Sequence, residues 1–283
     1  MELFDGFFSG KPVRLLDHSQ AELIFSKKNE AILSFALEDA IATAVGEKNV
    51  PPTVRLWVHD RTLVLGIPDS RLEHLEKGVA YVRSLGYDVI VRNSGGLAVL
   101  LDKNVLNVSF ILPDKDELSI HGGYELMYQF TKRLFEEETD DILAYEIKGS
   151  YCPGDYDLSI DGKKFAGISQ RRVRNGVAVQ MYLDIAGSSH ERASIVKRFY
   201  DLARGEKDTA FAYPDVNPSV MASINELLGA SFTVEQISKR IEALLLRYTG
   251  KLEHGPLTEG ERSVFFERLK QMEKRNEIIK RLS

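Results

Sequence analysis

Two tight-turn sequences within residues 142–183 restrict the fold more than any other feature of the chain. Asp161-Gly162 separates two short apolar runs, and Asn175-Gly176 precedes a longer one that ends near Tyr182. Asp-Gly and Asn-Gly favour the two-residue turns that join neighbouring antiparallel strands. Residues 142–183 therefore predict consecutive β-hairpins, and a chain that contains them must build an antiparallel sheet.

Helices are predicted on both sides of this β-rich segment. Helical apolar spacing covers residues 30–46, 72–85, 124–138 and most of the chain after residue 191. Further strands are predicted at residues 54–58, 62–66, 88–92 and 105–112, the first two paired across a turn at 59–61. Strands that come early and helices that come late predict an α+β fold, with mixed or antiparallel β-sheets flanked by helices.

The prolines at 214 and 218 indicate a domain boundary. We assign residues 1–215 to a main domain and residues 216–283 to a helical C-terminal extension, which 283 residues can accommodate. Thr258 and Glu261 have the spacing of a capping box, which predicts a last helix running toward Arg281.

Composition and charge argue against several classes of protein. A lone cysteine cannot form an internal disulfide and fits a reducing compartment, so a cytoplasmic location is expected. An apolar run such as residues 97–101 is far too short to span a membrane, and the N-terminus lacks a secretory pattern. The net charge of −5 gives no support to nucleic-acid binding. His59, His74 and His121 lack metal-ligand spacing, so no metal and no cofactor are expected.

Cys152 is the first candidate for chemistry, in the segment GSYCPG. A lone cysteine is often a small buried apolar residue. The flanking glycines and the following proline also predict an irregular loop between strands, where catalytic groups often lie. A thiol there would be a nucleophile if a nearby cation favoured its ionised form. The spacing alone leaves both interpretations open.

Basic residues follow Cys152 along the predicted hairpin. A lysine at 163 or 164 on the second arm could approach Cys152, or it could be an ordinary solvated turn residue. Five basic residues and no acidic one lie between residues 163 and 174. This run is either a docking patch for an acidic protein or the exposed face of a hairpin.

A glycine pair follows the strand predicted at residues 88–92, in the order Arg92-Asn93-Ser94-Gly95-Gly96. Paired glycines let a backbone approach a ligand closely, and their N–H groups can bind an anion. A tight turn between two strands would have the same sequence.

Two segments resemble a known family. Residues 92–107 read RNSGGLAVLLDKNVLN and match, without a gap, the pattern R-R-[ST]-G-G-G-A-V-[YF]-H-D-x-G-x-L-N. The pattern G-x-K-[IFV]-x-G-[SI] is met by Gly162, Lys164, Phe165, Gly167 and Ile168. With the strand pair around Trp57, these patterns resemble the lipoate–protein ligase and octanoyltransferase superfamily over about residues 30–205. The resemblance implies a biotin/lipoate ligase-like catalytic domain.

Departures from the pattern narrow what the resemblance implies. Leu97 stands where the family has a third glycine, and Leu101 replaces the histidine of the His-Asp pair. Both weaken the case for an ATP-using ligase, whose adenylate lies against this loop. Residues 149–172 are similar to the branch of octanoyl amidotransferases that use the glycine cleavage H protein as donor.

That branch implies an acyltransferase with a thioester intermediate in lipoate assembly. Cys152 would take an octanoyl group from a lysine of the glycine cleavage H protein and pass it to a lysine of an E2 lipoyl domain. Lys164 would keep Cys152 ionised and position the acyl carbonyl. Substrate-binding residues are implied at Arg92, Ser94, Gly95, Gly96, Leu97, Ala98, Asn107 and Gly167. Leu97, Ala98 and Ala166 would line an apolar slot for the acyl chain, or would simply be core.

Three alternatives remain open at this point. The donor would be an octanoyl carrier protein in the first, and the chain would be an ATP-dependent lipoate–protein ligase in the second. In the third it would be a non-catalytic module that binds lipoyl domains.

Overall fold

The structure is a computed structural model that describes residues 3–19, 31–114, 118–205 and 211–282. Most of these residues lie in helices or strands. The helices are α1 (Leu3–Phe8), α2 (Ala31–Gly46), α3 (Leu75–Ser84), α4 (Ile120–Leu134), α5 (Ser189–Ala203), α6 (Ile224–Leu228), α7 (Val234–Thr249), α8 (Glu259–Arg275) and α9 (Glu277–Lys280). The strands are β1 (Val13–His18), β2 (Thr53–Trp57), β3 (Thr62–Leu65), β4 (Asp88–Val91), β5 (Val99–Leu101), β6 (Val105–Pro113), β7 (Leu143–Ala144), β8 (Leu158–Ile160), β9 (Lys163–Val173), β10 (Gly176–Asp184) and β11 (Leu252–His254).

The described strands form two sheets. The larger has the order β11-β1-β2-β6-β10-β9-β8-β7, and the smaller has the order β4-β3-β5. In the large sheet β1 runs parallel to β2 and β11, whereas the ladder from β2 through β6, β10, β9 and β8 to β7 is antiparallel. In the small sheet β3 is parallel to β4 and antiparallel to β5. The predicted α+β fold with mixed sheets and flanking helices is confirmed.

Both predicted hairpins are present, and the first has the expected turn chemistry. Asp161 and Gly162 have φ angles of 50° and 71° between β8 and β9. A two-residue turn of this kind needs positive φ at both positions, which glycine and aspartate tolerate best. The second hairpin joins β9 to β10 next to Arg174, whose φ is 55°.

The strand pair predicted across residues 59–61 is wrong. β2 lies between β1 and β6 in the large sheet, whereas β3 is the central strand of the small sheet. Every residue of both strands is buried, so each is covered on both faces and neither has the solvent-facing side of a simple hairpin. The turn at His59 therefore carries the chain from one sheet to the other.

The helix predictions hold in type and differ at their ends. α2 matches the prediction for residues 30–46, although residue 30 lies outside the described part of the chain. α4 begins at Ile120, before the predicted residue 124, because the Ser119 side chain accepts a hydrogen bond from the Gly122 N–H and caps the helix.

The large sheet separates two apolar cores. On one face, α1, α4 and α7 pack through side chains such as Phe8, Phe110 and Phe130. On the other face lie α2 and the small sheet, with α3 and α5 beyond them. The space between the large sheet, α2 and the small sheet contains the candidate site.

The C-terminal residues are joined to both sheets. β11 pairs with β1, and Glu261 of α8 forms a buried ion pair with Arg14 of β1. Asn276, which follows α8, makes hydrogen bonds to β4. The boundary between a domain 1–215 and an extension 216–283 stays a prediction.

Candidate active site

Cys152 lies in the loop between β7 and β8, as predicted, and its side chain is half-buried. The Leu97 N–H donates a hydrogen bond to its Sγ at 3.1 Å, and the Arg92 Nη2 lies 3.5 Å from the same sulfur. The φ of Cys152 is 47°, a backbone conformation that non-glycine residues seldom adopt. Such conformations concentrate at functional sites, where the surrounding structure holds them in place.

The loop between β4 and β5 supplies both of these contacts. Within it, the Arg92 Nη2 also donates to the Leu97 carbonyl at 3.0 Å, which closes the loop around the sulfur. Gly96 has a φ of 96°, and a Cβ there would lie 2.8 Å from the Cys152 Sγ. Gly95 has open space around its Cβ position. The close approach to the sulfur therefore requires the second glycine of the predicted pair, whereas the first is under no such constraint.

A buried network holds the far end of this loop. The Ala98 N–H donates to the Tyr200 hydroxyl at 3.2 Å, and that hydroxyl donates to Asp69 Oδ1 at 2.9 Å. Asp69 Oδ2 accepts from the Gly66 N–H at 2.8 Å. Burial raises the pKa of Asp69 to about 6, although these hydrogen bonds oppose the change.

Ser94, a predicted substrate-binding residue, is buried, and its hydroxyl has no hydrogen-bond partner among the described residues.

Lys164 is fully buried beneath the Cys152 loop. Its Nζ donates to the carbonyl oxygens of Cys152 and Tyr151, at 2.9 and 3.0 Å, and lies 3.3 Å from the Ser150 hydroxyl. Asp157 pairs with the ammonium at 2.8 Å. Lys164 therefore holds the backbone of the cysteine loop in place.

The cation in contact with the sulfur is Arg92. Among the described residues, Lys164 makes no hydrogen bond to Sγ, and its charge is balanced by Asp157. No carboxylate in the described part of the chain forms an ion pair with Arg92. Arg92 is therefore the charged side chain in direct contact with Sγ.

An apolar cavity opens beside Cys152, between the large sheet, α2 and the small sheet. It contains about 480 Å³ of empty space, part of which is open to solvent. Its walls are formed by Phe35, Trp57, Val64, Arg92, Val99, Leu101, Asn107, Cys152, Gly167, Ile168, Ser169, Gln180, Met181 and Tyr182. Small-molecule sites in proteins are commonly lined by apolar side chains with a few polar groups, and this cavity has such a lining.

The predicted site residues take different places around the cavity. Arg92, Asn107 and Gly167 line it. Gly167 leaves room for the Tyr182 ring, since a Cβ at 167 would lie 2.6 Å from a carbon of that ring. Leu97, Ala98 and Ala166 are buried but do not line the cavity. Their position agrees with the alternative that they are core residues.

A polar row on the inner face of the large sheet was missed from the sequence. Gln180 donates to the buried carboxylate of Glu38 and accepts from the Ser169 hydroxyl at 3.3 Å. Burial raises the pKa of Glu38, while the charge of Arg55 opposes this. The available signal was a glutamine in the centre of the apolar strand β10.

The basic run at residues 163–174 is largely paired in the structure. Arg171 forms two hydrogen bonds with Asp39, both at 3.0 Å, and Arg172 pairs with Asp114. Lys163 is exposed at the turn. Of the two open interpretations, these contacts favour a hairpin face over a docking patch.

Comparison with known proteins places the chain in a family. Residues 30–245 match the family model for the lipoyl protein ligase A/B catalytic domain. The chain belongs to this family. The octanoyl-[GcvH]:protein N-octanoyltransferase of Oceanobacillus iheyensis is 50% identical over 264 residues, which span 93% of this chain and 95% of that protein. The lipoyl-[GcvH]:protein N-lipoyltransferase of Listeria monocytogenes is 47% identical over 244 residues, or 85% of this chain and 88% of that protein.

Solved structures of lipoyl ligases share the fold. A lipoate–protein ligase A bound with ATP superposes with a TM-score of 0.69 at 16% identity, covering 92% of this chain and 94% of that one. A lipoate protein ligase from Thermoplasma acidophilum with bound lipoic acid gives a TM-score of 0.67 at 15% identity, with coverage of 92% and 95%. The predicted family, lipoate ligase-like fold and acyltransferase class are confirmed.

No helix within the described ranges is both long enough and apolar enough to cross a membrane.

Proposed function

We propose that this chain is a protein N-octanoyltransferase that carries the octanoyl group on Cys152. The observation that carries this proposal is the position of Sγ, which accepts the Leu97 N–H, contacts Arg92 and borders an apolar cavity. The names of the relatives that resemble most of the chain support the octanoyl group and the H-protein donor.

The proposed reaction has two steps. The Cys152 thiolate attacks the carbonyl carbon of an octanoyl-lysine amide on the glycine cleavage H protein. The C–N bond breaks, the H-protein lysine leaves as an amine whose nitrogen takes a proton from solvent, and a thioester remains on Sγ. The amine of a lysine on an E2 lipoyl domain then attacks the thioester. The C–S bond breaks, the attacking nitrogen gives up a proton to solvent, and the thiolate returns. An amide is exchanged for an amide, so the transfer requires no nucleotide.

We propose separate tasks for the residues around Sγ. The Arg92 guanidinium and the Leu97 N–H stabilise negative charge on the sulfur before attack and after the thioester is cleaved. Lys164 fixes the Cys152 carbonyl and thereby the position of the nucleophile. Cavity residues such as Val64 and Val99 bind the acyl chain, at about 0.8 kcal/mol for each buried methylene group.

The proposed location is the cytoplasm. The only cysteine of the chain must remain a free thiol for this mechanism, which a reducing compartment ensures.

Intact-mass spectrometry after mixing with octanoylated H protein tests the proposal. We expect the mass of one octanoyl group on the wild-type chain, removable by hydroxylamine, and no addition to Cys152→Ala. Because the chain has a single cysteine, a thioester can form at no other residue. An E2 lipoyl domain added afterwards should remove the group from the wild-type enzyme and become octanoylated itself.

Two parallel incubations distinguish the rival functions. Acylation by octanoyl carrier protein alone would contradict the proposed donor. Octanoylation of the lipoyl domain that requires free octanoate and ATP would indicate a ligase. If Cys152→Ala still supports lipoylation in a deficient cell, the chain acts as a binding module and the thioester mechanism is wrong.

A further inference from the structure

Asn276 connects the C-terminal helices to the strand that carries Arg92. It follows α8 and is 2% exposed. The Val91 N–H donates to Asn276 Oδ1 at 2.7 Å, and Asn276 Nδ2 donates to the Val91 carbonyl at 3.0 Å. The same Nδ2 also donates to the Met272 carbonyl at 2.9 Å, in the last turn of α8. A side-chain amide that makes three buried hydrogen bonds is held in one orientation.

These bonds replace a neighbouring strand at an edge of the small sheet. Val91 is the last residue of β4, which has β3 on one side and no strand on the other within the described chain. The N–H and C=O of an edge residue need partners when they are buried. On the inner side, the Arg92 N–H donates to the Leu65 carbonyl at 2.9 Å. The backbone entering the sulfur-binding loop is therefore held from both sides.

Arg92 depends on this backbone for its position. Its Nη2 contacts the Leu97 carbonyl and the Cys152 Sγ, and its buried Nε has no hydrogen-bond partner among the described residues. Because no carboxylate in the described chain forms an ion pair with the guanidinium, a shift of Val91 would move the charge relative to the sulfur. A shift of a few tenths of an ångström matters, because Arg92 Nη2 contacts Sγ at 3.5 Å and the same atom also binds the Leu97 carbonyl.

We propose that Asn276 is a positioning residue for catalysis, through which the C-terminal helices set the placement of Arg92 against Cys152. This inference rests on the proposed function of Cys152 as a nucleophile and gives the C-terminal segment a part in it. Asn276 touches neither the substrate nor the sulfur, and it acts through Val91 and Arg92.

The test measures how fast iodoacetamide alkylates Cys152 as a function of pH. Asn276→Ala removes the bonds to Val91 and lets Arg92 move away, so we expect the midpoint of the pH–rate profile to rise. A rise of about one pH unit would lower the reactive thiolate fraction about tenfold below the midpoint. Asn276→Asp keeps an acceptor for the Val91 N–H and should give an intermediate profile. It also serves as the test variant if Asn276→Ala does not fold.

Arg83→Ala is the matched control. Arg83 of α3 donates to the carbonyls of Leu282 and Ile279, at 3.0 and 3.1 Å, and so anchors the same C-terminal segment without touching Val91. We expect Arg83→Ala to lower the melting temperature and to leave the alkylation profile at its wild-type midpoint. A midpoint that rises equally in both variants would indicate general loosening and would overturn the inference.

A double variant tests whether Asn276 acts through Arg92. Arg92→Ala should raise the midpoint, and adding Asn276→Ala should raise it no further, because the two changes remove the same interaction. An unchanged midpoint in Asn276→Ala, or additive shifts, would overturn the inference. Alkylation needs no acyl donor. If the alkylation profiles contradict the role of Asn276, the thioester test of the proposed function still stands. If the H protein is not the donor, the alkylation test still stands.

Discussion

Asp69 shows how a single buried carboxyl group supports the loop that contacts the sulfur. It accepts hydrogen bonds from the Gly66 N–H and the Tyr200 hydroxyl, and Tyr200 in turn binds the Ala98 N–H. Burial raises its pKa to about 6, above the value of about 3.9 in an unfolded chain. Between these two values the folded protein keeps a proton that the unfolded chain has released. The contribution of Asp69 to stability therefore falls as the pH rises from about 4 to about 6.

Comparing Asp69→Asn with the wild type isolates this contribution. The amide cannot ionise, so we expect the variant to gain about 2 kcal/mol relative to the wild type between pH 4 and pH 8. Urea unfolding of both proteins at the two pH values measures the change. Loss of a hydrogen-bond acceptor adds an offset that is the same at both pH values. A difference in stability that does not vary with pH would contradict the shifted pKa.

Lys164 shows what strand alternation adds to a sequence pattern. The turn at Asp161-Gly162 leaves open which lysine faces Cys152. Successive residues of a strand point to opposite faces. Lys163 is exposed and Lys164 is buried, so the second is the one beneath the cysteine loop. The Lys164 ammonium donates to the Cys152 carbonyl, and this contact could not be predicted from the hairpin register alone.

At the scale of structural elements, the loop between β4 and β5 contains two adjacent glycines, and only one of them is in a position that excludes a side chain. A Cβ on Gly96 would lie 2.3 Å from the Arg92 Nη2 and 2.8 Å from the Cys152 Sγ, and its φ of 96° disfavours any side chain. A Cβ on Gly95 would meet nothing within 4 Å.

We expect Gly96→Ala to displace Arg92 from Sγ and to slow the alkylation of Cys152 on the order of tenfold, with a loss of stability of about 1–3 kcal/mol. Gly95→Ala, the matched control, should keep the wild-type alkylation rate and melting temperature. The measurements are iodoacetamide kinetics at pH 7 and thermal unfolding. Equal effects of the two substitutions would contradict the assignment of close approach to Gly96 alone.

For the whole molecule, contacts between the two ends of the chain build one edge of the large sheet. Glu261 in the first turn of α8 is fully buried, and it pairs through both carboxylate oxygens with Arg14 of β1. β11, a few residues earlier, extends the sheet beside β1. The N-terminal strand thus has C-terminal neighbours in the sheet and above it.

Breaking this pair should destabilise the whole fold. Glu261→Ala leaves the Arg14 charge buried without its partner, which typically costs about 3–5 kcal/mol. Glu259→Ala, at an exposed position in the same turn of α8, should change stability by less than about 0.5 kcal/mol. Denaturant unfolding of the two variants checks this. A loss below about 1 kcal/mol for Glu261→Ala would show that the C-terminal helices are not anchored through Arg14.

The sequence by itself determined the hairpins, the family, the loop position of Cys152 and the residues of the sulfur-binding loop. These features depend on local turn chemistry and on motifs whose residues are close together in the chain. Only the tertiary structure decided that β2 and β3 belong to different sheets, that Arg92 is the cation at the sulfur, and that Asn276 fixes Val91. Arg92 and Cys152 are 60 residues apart, and Val91 and Asn276 are 185 apart. Local periodicity carries no information about such pairs, because contacts at that separation depend on how the sheets and helices pack.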